Sequence, residues 1–170
     1  MRRVVFFITT LFILSSCTKN NVYENNRLIH STNWKASDTL SYNVNISDTS
    51  SLYNLFITIR HTEDYPYRNI WLLIYTKFPD GKTLNKRTEL TLADEDGKWH
   101  GQGVNNIWDD RILLQNDAYF NKAGQYSFAL EQDMRQNPLP GIMAVGLRIE
   151  NTGVKKSAMP LSKDTTATSY

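Results

Sequence analysis

Leu14-Ser15-Ser16-Cys17 is the stretch of this chain whose residue types and spacing spell out a definite reaction. An apolar residue, two small residues and a cysteine look like a bacterial lipobox. Its thiol is alkylated by a diacylglyceryl group, and the small residues fit the peptidase cleft that then cuts before the cysteine. What precedes Cys17 has the form such processing needs. Arg2 and Arg3 make a short positive segment, and Val4–Leu14 is apolar apart from two threonines. As a helix that apolar run rises about 16 Å, half of the ~30 Å hydrocarbon core, so it reads as a signal segment rather than a membrane span. Residues 1–16 are therefore expected to be removed, leaving Cys17 as the site of lipid attachment and membrane lipid as its partner.

The remaining chemistry-bearing residues are poorly arranged for catalysis. There is no Gly-rich phosphate loop, HExxH, G-x-S-x-G or Cys/His pair, and an acylated Cys17 has no thiol to offer. His30, His61 and His100 lack partners at metal-ligand spacing, and each is expected at the surface or in a turn. Asp94-Glu95-Asp96-Gly97 resembles part of a calcium loop, but Lys98, Trp99 and His100 follow where a bidentate glutamate is required. It is expected to be a hairpin tip between Leu92 and Trp99. Asp109 and Asp110 are neighbours and would face opposite ways on a strand. No catalytic residue, metal site or cofactor is expected, and the chain reads as a non-enzyme.

The aromatic residues are the better hint. Trp34, Trp71, Trp99 and Trp108 stand among nine tyrosines. Such residues either fill a core or form a stacking platform for a sugar or a protein partner. Trp71 and Tyr75 are the candidate partner contacts, and a carbohydrate-binding envelope lipoprotein using a Trp/Tyr platform is the alternative reading.

Composition narrows the classes further. The chain has 170 residues, one cysteine and a formal charge of +2, which predicts one domain without an internal disulfide. Without Arg2 and Arg3 that charge falls to zero, and no basic stripe suggests a nucleic-acid footprint. Thr18 follows the cysteine where aspartate would retain a lipoprotein at the inner membrane, which favours the outer membrane. Thr18–Asn21 (TKNN) lacks an acidic export cluster, which favours the periplasmic face.

The elements that must position these residues have a period of two. Tyr42, Val44 and Ile46 alternate with polar neighbours, as do Leu55, Ile57 and Ile59. Later come Tyr126, Phe128 and Leu130, then Val145, Leu147 and Ile149. Each set predicts an antiparallel strand with one buried face. Ile70–Tyr75 (IWLLIY) is apolar on both faces, predicting a central strand or one whose outer face meets a partner. Thr88–Leu92 and Arg111–Leu114 are weaker strand candidates, and Met134–Ile142 reads as a loop. Pro79-Asp80-Gly81 and Asp96-Gly97 supply turns. Seven or eight short strands and no long amphipathic helix predict an all-β antiparallel sandwich, with the jelly roll as one topology it allows. Residues 17–27 are expected to be a lipidated polar tether reaching about 33–36 Å. The sandwich would then occupy residues 28–151 and a disordered tail residues 152–170.

Several segments in order resemble one known family. They begin with Tyr65-Pro66-Tyr67-Arg68-Asn69-Ile70-Trp71-Leu72 and Phe78-Pro79-Asp80-Gly81, followed by Leu92-Ala93-Asp94, Gly97-Lys98-Trp99, Gly101 and Gly103. They end with Gln132-Asp133-Met134-Arg135, Leu139, Gly141-Ile142 and Val145–Glu150. Over about residues 10–151 this order is similar to the GldH gliding motility lipoproteins of Bacteroidetes. The resemblance implies a lipid-anchored component of the gliding machinery and the allied type IX secretion apparatus, working through other proteins of those systems. It supplies no catalytic residue.

Overall fold

The computed structural model describes residues 20–156. The signal segment, Cys17 and the last residues of the expected tail lie outside them. Among the described residues there are eleven strands: β1 (Asn21–Leu28), β2 (Asn33–Trp34), β3 (Leu40–Ile46), β4 (Ser51–Thr62), β5 (Asn69–Lys77), β6 (Thr83–Thr91), β7 (Gln102–Val104), β8 (Ile107–Ala118), β9 (Gly124–Gln132), β10 (Leu139–Pro140) and β11 (Ile142–Lys155). They pair antiparallel into a five-stranded sheet, β1-β11-β4-β8-β7, and a four-stranded sheet, β3-β9-β5-β6. A short β10-β2 pair completes the fold. The sandwich expected from the sequence is the fold observed, and no helix among the described residues is long and apolar enough to cross a membrane.

The predicted alternation decides which side chains meet between the sheets. Tyr42, Val44 and Ile46 of β3, Leu55, Ile57 and Ile59 of β4, and Tyr126, Phe128 and Leu130 of β9 are all buried. Val145, Leu147 and Ile149 of β11 join the β4 residues on the inner face of the five-stranded sheet, opposite those of β3 and β9. Fully burying one such side chain contributes about 1.5–3 kcal/mol, so this interleaved face dominates the stability. Tyr42 also ties the layers together, its hydroxyl donating to the Val145 carbonyl at 2.8 Å. Burial pushes that phenol well above the ordinary tyrosine range, with nearby Arg27 opposing.

Two boundaries differ from expectation. Where a tether was expected through Arg27, β1 already begins at Asn21 and pairs with β11 along its length. Most of its side chains are exposed. The backbone ladder, partial packing of Tyr23 on the core and the Glu24–Arg148 ion pair hold it in place. At the other end, β11 continues through Lys155 rather than stopping at 151. There the Lys156 N–H donates to the Ser50 carbonyl at 2.7 Å, and Thr152 donates to the Leu52 carbonyl at 3.0 Å.

Asp48 organises that last turn of β11. Its carboxylate accepts from Lys155 Nζ at 2.9 Å, from both the amide and hydroxyl of Ser50, and from the Ser51 hydroxyl. These donors, Lys155 foremost, hold the carboxyl well below the usual carboxylate range. A depressed folded-state pKa contributes stability that is complete above the unfolded value and is lost as pH falls through the folded one. The clamp is therefore expected to survive acidification well below the ordinary aspartate pKa of about 3.9. Asp48→Asn should accelerate amide exchange at Val154–Lys156 several-fold at neutral pH, with the core amides of β4 unchanged. Unaltered exchange at those amides would show that the clamp is dispensable.

Candidate functional site

The outer face of the four-stranded sheet carries the two residues singled out in IWLLIY. Along β5, Ile70, Leu72 and Ile74 point into the core, so Trp71, Leu73 and Tyr75 line the opposite face, each half-buried. The strand is interior to its sheet, between β9 and β6. This is how a run apolar on both faces is accommodated: one face packs in the core and the other forms an outward row.

Neighbouring strands dress that row with charge. The Arg87 guanidinium of β6 lies over the Trp71 ring, 3.9 Å from its centroid, and pairs with Asp133. At a partly exposed site such a stack is worth roughly 0.5–1 kcal/mol. The backbone of Trp71 is fixed as well, its carbonyl accepting from the Asp133 N–H at 2.8 Å. Tyr75 donates to Glu131 at 3.3 Å, and Thr39 donates to the same carboxylate at 2.6 Å. Burial, then the Glu131 charge, raises the Tyr75 phenol above its ordinary value. Beside Trp71 opens a groove of about 430 Å³ lined by Tyr67, Trp71, Arg87, Asp133, Met134 and Arg135. A large aromatic held flat by an arginine at the mouth of a groove suits capture of a protein side chain.

The second constellation corrects an expectation. His61 is neither at the surface nor in a turn: it lies in β4 with its side chain fully buried. Its Nε2 faces Asp110 Oδ2 at 3.2 Å and its Nδ1 faces the Thr62 carbonyl at 2.8 Å. Leu55, Ile57 and Ile59 set an inward parity that His61 continues, and this signal was legible in the sequence. On β8 the adjacent acids diverge as expected. Asp110 points inward, while Asp109 accepts both Nε and Nη2 of Arg60 on the outer face at 2.7 and 2.9 Å.

Aromatic rings seal the His61–Asp110 pair. Trp99 lies 4.4 Å from the imidazole centroid and Tyr65 5.6 Å, with Trp108 beyond Trp99 at 6.5 Å. The two glycines after Trp99 allow this closure. A Cβ on Gly101 would sit 2.7 Å from both the Asp109 carbonyl and Asp110 Oδ2, and one on Gly103 would meet the Trp108 ring at 2.7 Å. The pair is almost wholly buried, and Asp110 also borders a cavity of about 790 Å³ whose lining includes Arg60, His100, Asp109 and Arg111.

The other candidates fall into place around these two. His30 and His100 are exposed. Asp94-Glu95-Asp96-Gly97 forms the hairpin tip between Leu92 and Trp99, closed by an Ala93–Trp99 bridge, with Gly97 at φ 81°. No cluster of three or more metal-ligating side chains occurs among the described residues. The four tryptophans do not assemble a platform: Trp34 is buried in the core, Trp99 and Trp108 cover His61, and Trp71 stands on another face. Arg87 and Asp133 were not singled out from the sequence, because their meeting depends on three strands coming into register.

Comparison with known proteins agrees with the resemblance in the sequence. A gliding motility lipoprotein GldH homolog of Christiangramia forsetii is 32% identical over 156 residues, covering 88% of this chain and 95% of that protein. The gliding motility lipoprotein GldH of Flavobacterium johnsoniae is 28% identical over 145 residues, covering 81% and 89%. A solved carbohydrate-binding module specific for non-crystalline cellulose aligns over 75% of this chain and 70% of its own at 10% identity. Its TM-score is 0.38, a likeness too loose to bear on fold or ligand. Residues 21–149, nearly the whole sandwich, match the GldH lipoprotein family, and the chain belongs to that family.

Proposed function

We propose that this chain is a non-enzymatic, lipid-anchored scaffold component of the gliding motility machinery and its allied type IX secretion apparatus. In this reading acylated Cys17 fixes it to the outer membrane, facing the periplasm, and it acts through contacts with other proteins of those systems. The observation that carries the reading is the Trp71–Arg87 stack beside an open groove on a rigid interior strand. Family membership supplies the setting: both relatives bear the name of a gliding motility lipoprotein.

The test is crosslinking followed by pulldown from intact envelopes. The wild-type chain should recover gliding or secretion proteins. A central hot-spot residue costs about 2 kcal/mol or more on truncation, roughly thirtyfold in affinity. Trp71→Ala, alone or with Tyr75→Ala, should therefore reduce recovery by at least tenfold while leaving the unfolding midpoint little changed. Undiminished capture would remove this face from the proposal. Recovery of no such protein, from envelopes that retain known complexes, would overturn the scaffold role itself.

A further inference from the structure

One end of the sandwich gathers features that have no role in the Trp71 groove. The β1 start at Asn21, the β11 end at Lys155, and the turns 47–50, 78–82 and 119–123 all lie there, because β3, β5 and β8 run down to it and β4, β6 and β9 run up from it. Asn20 and Asn151 are joined by a backbone hydrogen bond of 2.7 Å, so the first described residue is fixed to this end.

Sequence arithmetic then limits where a lipid anchor can hold the body. From Cys17 to Asn21 the chain takes four steps, at most about 14 Å fully extended, far short of the 33–36 Å expected of a longer tether. The polar headgroup layer occupies about 5–8 Å on each side of the hydrocarbon core, so this end of the sandwich cannot stand far from it. Surface charges there act within the ~8–10 Å over which salt leaves a membrane potential effective.

The charge on this end suits that position. Lys77, Lys82, Lys122, Lys155 and Lys156 project from it against Asp48, Asp80 and Asp117. Two of the acids are occupied, Asp48 by Lys155 and Asp80 by Lys122 at 2.8 Å. Among the described residues Lys77, Lys82 and Lys156 have no carboxylate in ion-pair range, and Lys156 lies over the Tyr119 ring at 4.2 Å. The opposite end is acidic: Glu63-Asp64, Asp94-Glu95-Asp96 and two further aspartates outweigh Lys35, Arg68, Lys98 and Arg135. The nearly neutral body is thus polarised along its strands, with the positive end beside the anchor.

We infer that this lysine-bearing end lies against the membrane surface, with Lys77, Lys82 and Lys156 facing the phosphates of anionic lipid headgroups. The inference rests on lipid attachment at Cys17. It places the acidic loops, and the Trp71 groove near the upper end of β5, away from the bilayer.

The experiment uses the full chain, processed in its host, purified in detergent and reconstituted into vesicles of phosphatidylethanolamine and phosphatidylglycerol carrying headgroup nitroxides. Asn121→Cys reports on the lysine-bearing end and Glu95→Cys on the opposite one, each bearing a fluorophore. Quenching at position 121 should exceed that at position 95 several-fold. Lys77→Glu, Lys82→Glu and Lys156→Glu together should cut the difference at least twofold while the protein still floats with the vesicles. Mass spectrometry of the N-terminal peptide separates the two ideas. A peptide without acyl mass overturns the anchor and the inference together. An acylated protein quenched equally at both positions overturns the inference alone. An unchanged difference in the charge-reversed protein would overturn the headgroup contact.

Discussion

Asp110→Ala is expected to lower the unfolding free energy by about 1–3 kcal/mol, the usual consequence of leaving a buried polar group without its partner. The magnitude follows from what is left behind. His61 Nε2 loses its hydrogen-bond partner beneath the Trp99 and Tyr65 rings. For a domain of this size the loss corresponds to a fall in Tm of about 3–10 °C. Urea unfolding followed by tryptophan fluorescence will measure it, since Trp99 and Trp108 sit beside the site. Converting both residues to leucine should cost far less than the sum of the single changes, because the penalty lies in the orphaned group rather than in the pair. A single-mutant loss below about 1 kcal/mol would mean that the cavity admits water or that the rings repack.

Cys17→Ser has the largest expected effect on the protein's place in the cell. It should abolish radiolabelled palmitate incorporation and move the chain from the membrane to the soluble fraction. Each buried methylene contributes about 0.8 kcal/mol, and stable anchoring is reached once two chains are present. The lysines near Asn21 cannot substitute for that: at about 1 kcal/mol per basic residue near an anionic surface, three of them give transient binding only. Undiminished palmitate labelling would sink the lipobox reading. Loss of label with full membrane retention would instead point to a protein partner as the principal anchor.

How much of this was legible in the sequence depends on whether a strand has a dry face. β3, β4, β9 and β11 declare themselves through alternation, since each carries a run of inward apolar side chains two residues apart. β1 and β6 do not, because they lie at sheet edges and expose nearly every residue; their backbone ladders leave no mark on side-chain type. The same blindness hid the short β7, β2 and β10. At the candidate site, Trp71 and Tyr75 were legible as the outward members of an apolar run. Arg87 and Asp133 were not, being 46 residues apart in sequence and brought together only by pairing. His61 shows the opposite case. Its parity placed it inward, but its residue type argued for the surface, and only the partner on β8 reconciles the two.

The position of β1 also sets how the body bears a pull. Force applied to the chain ahead of Asn21 enters along the strand axis, while the hydrogen bonds joining β1 to β11 run across it. The rungs from Tyr23 to Leu28 are therefore sheared together rather than peeled one at a time. Because β11 is flanked on its other side by β4, the load passes on into the middle of the larger sheet. A first strand that buries almost nothing is in this sense the mechanical coupling of the molecule, and its polar side chains cost it none of that strength.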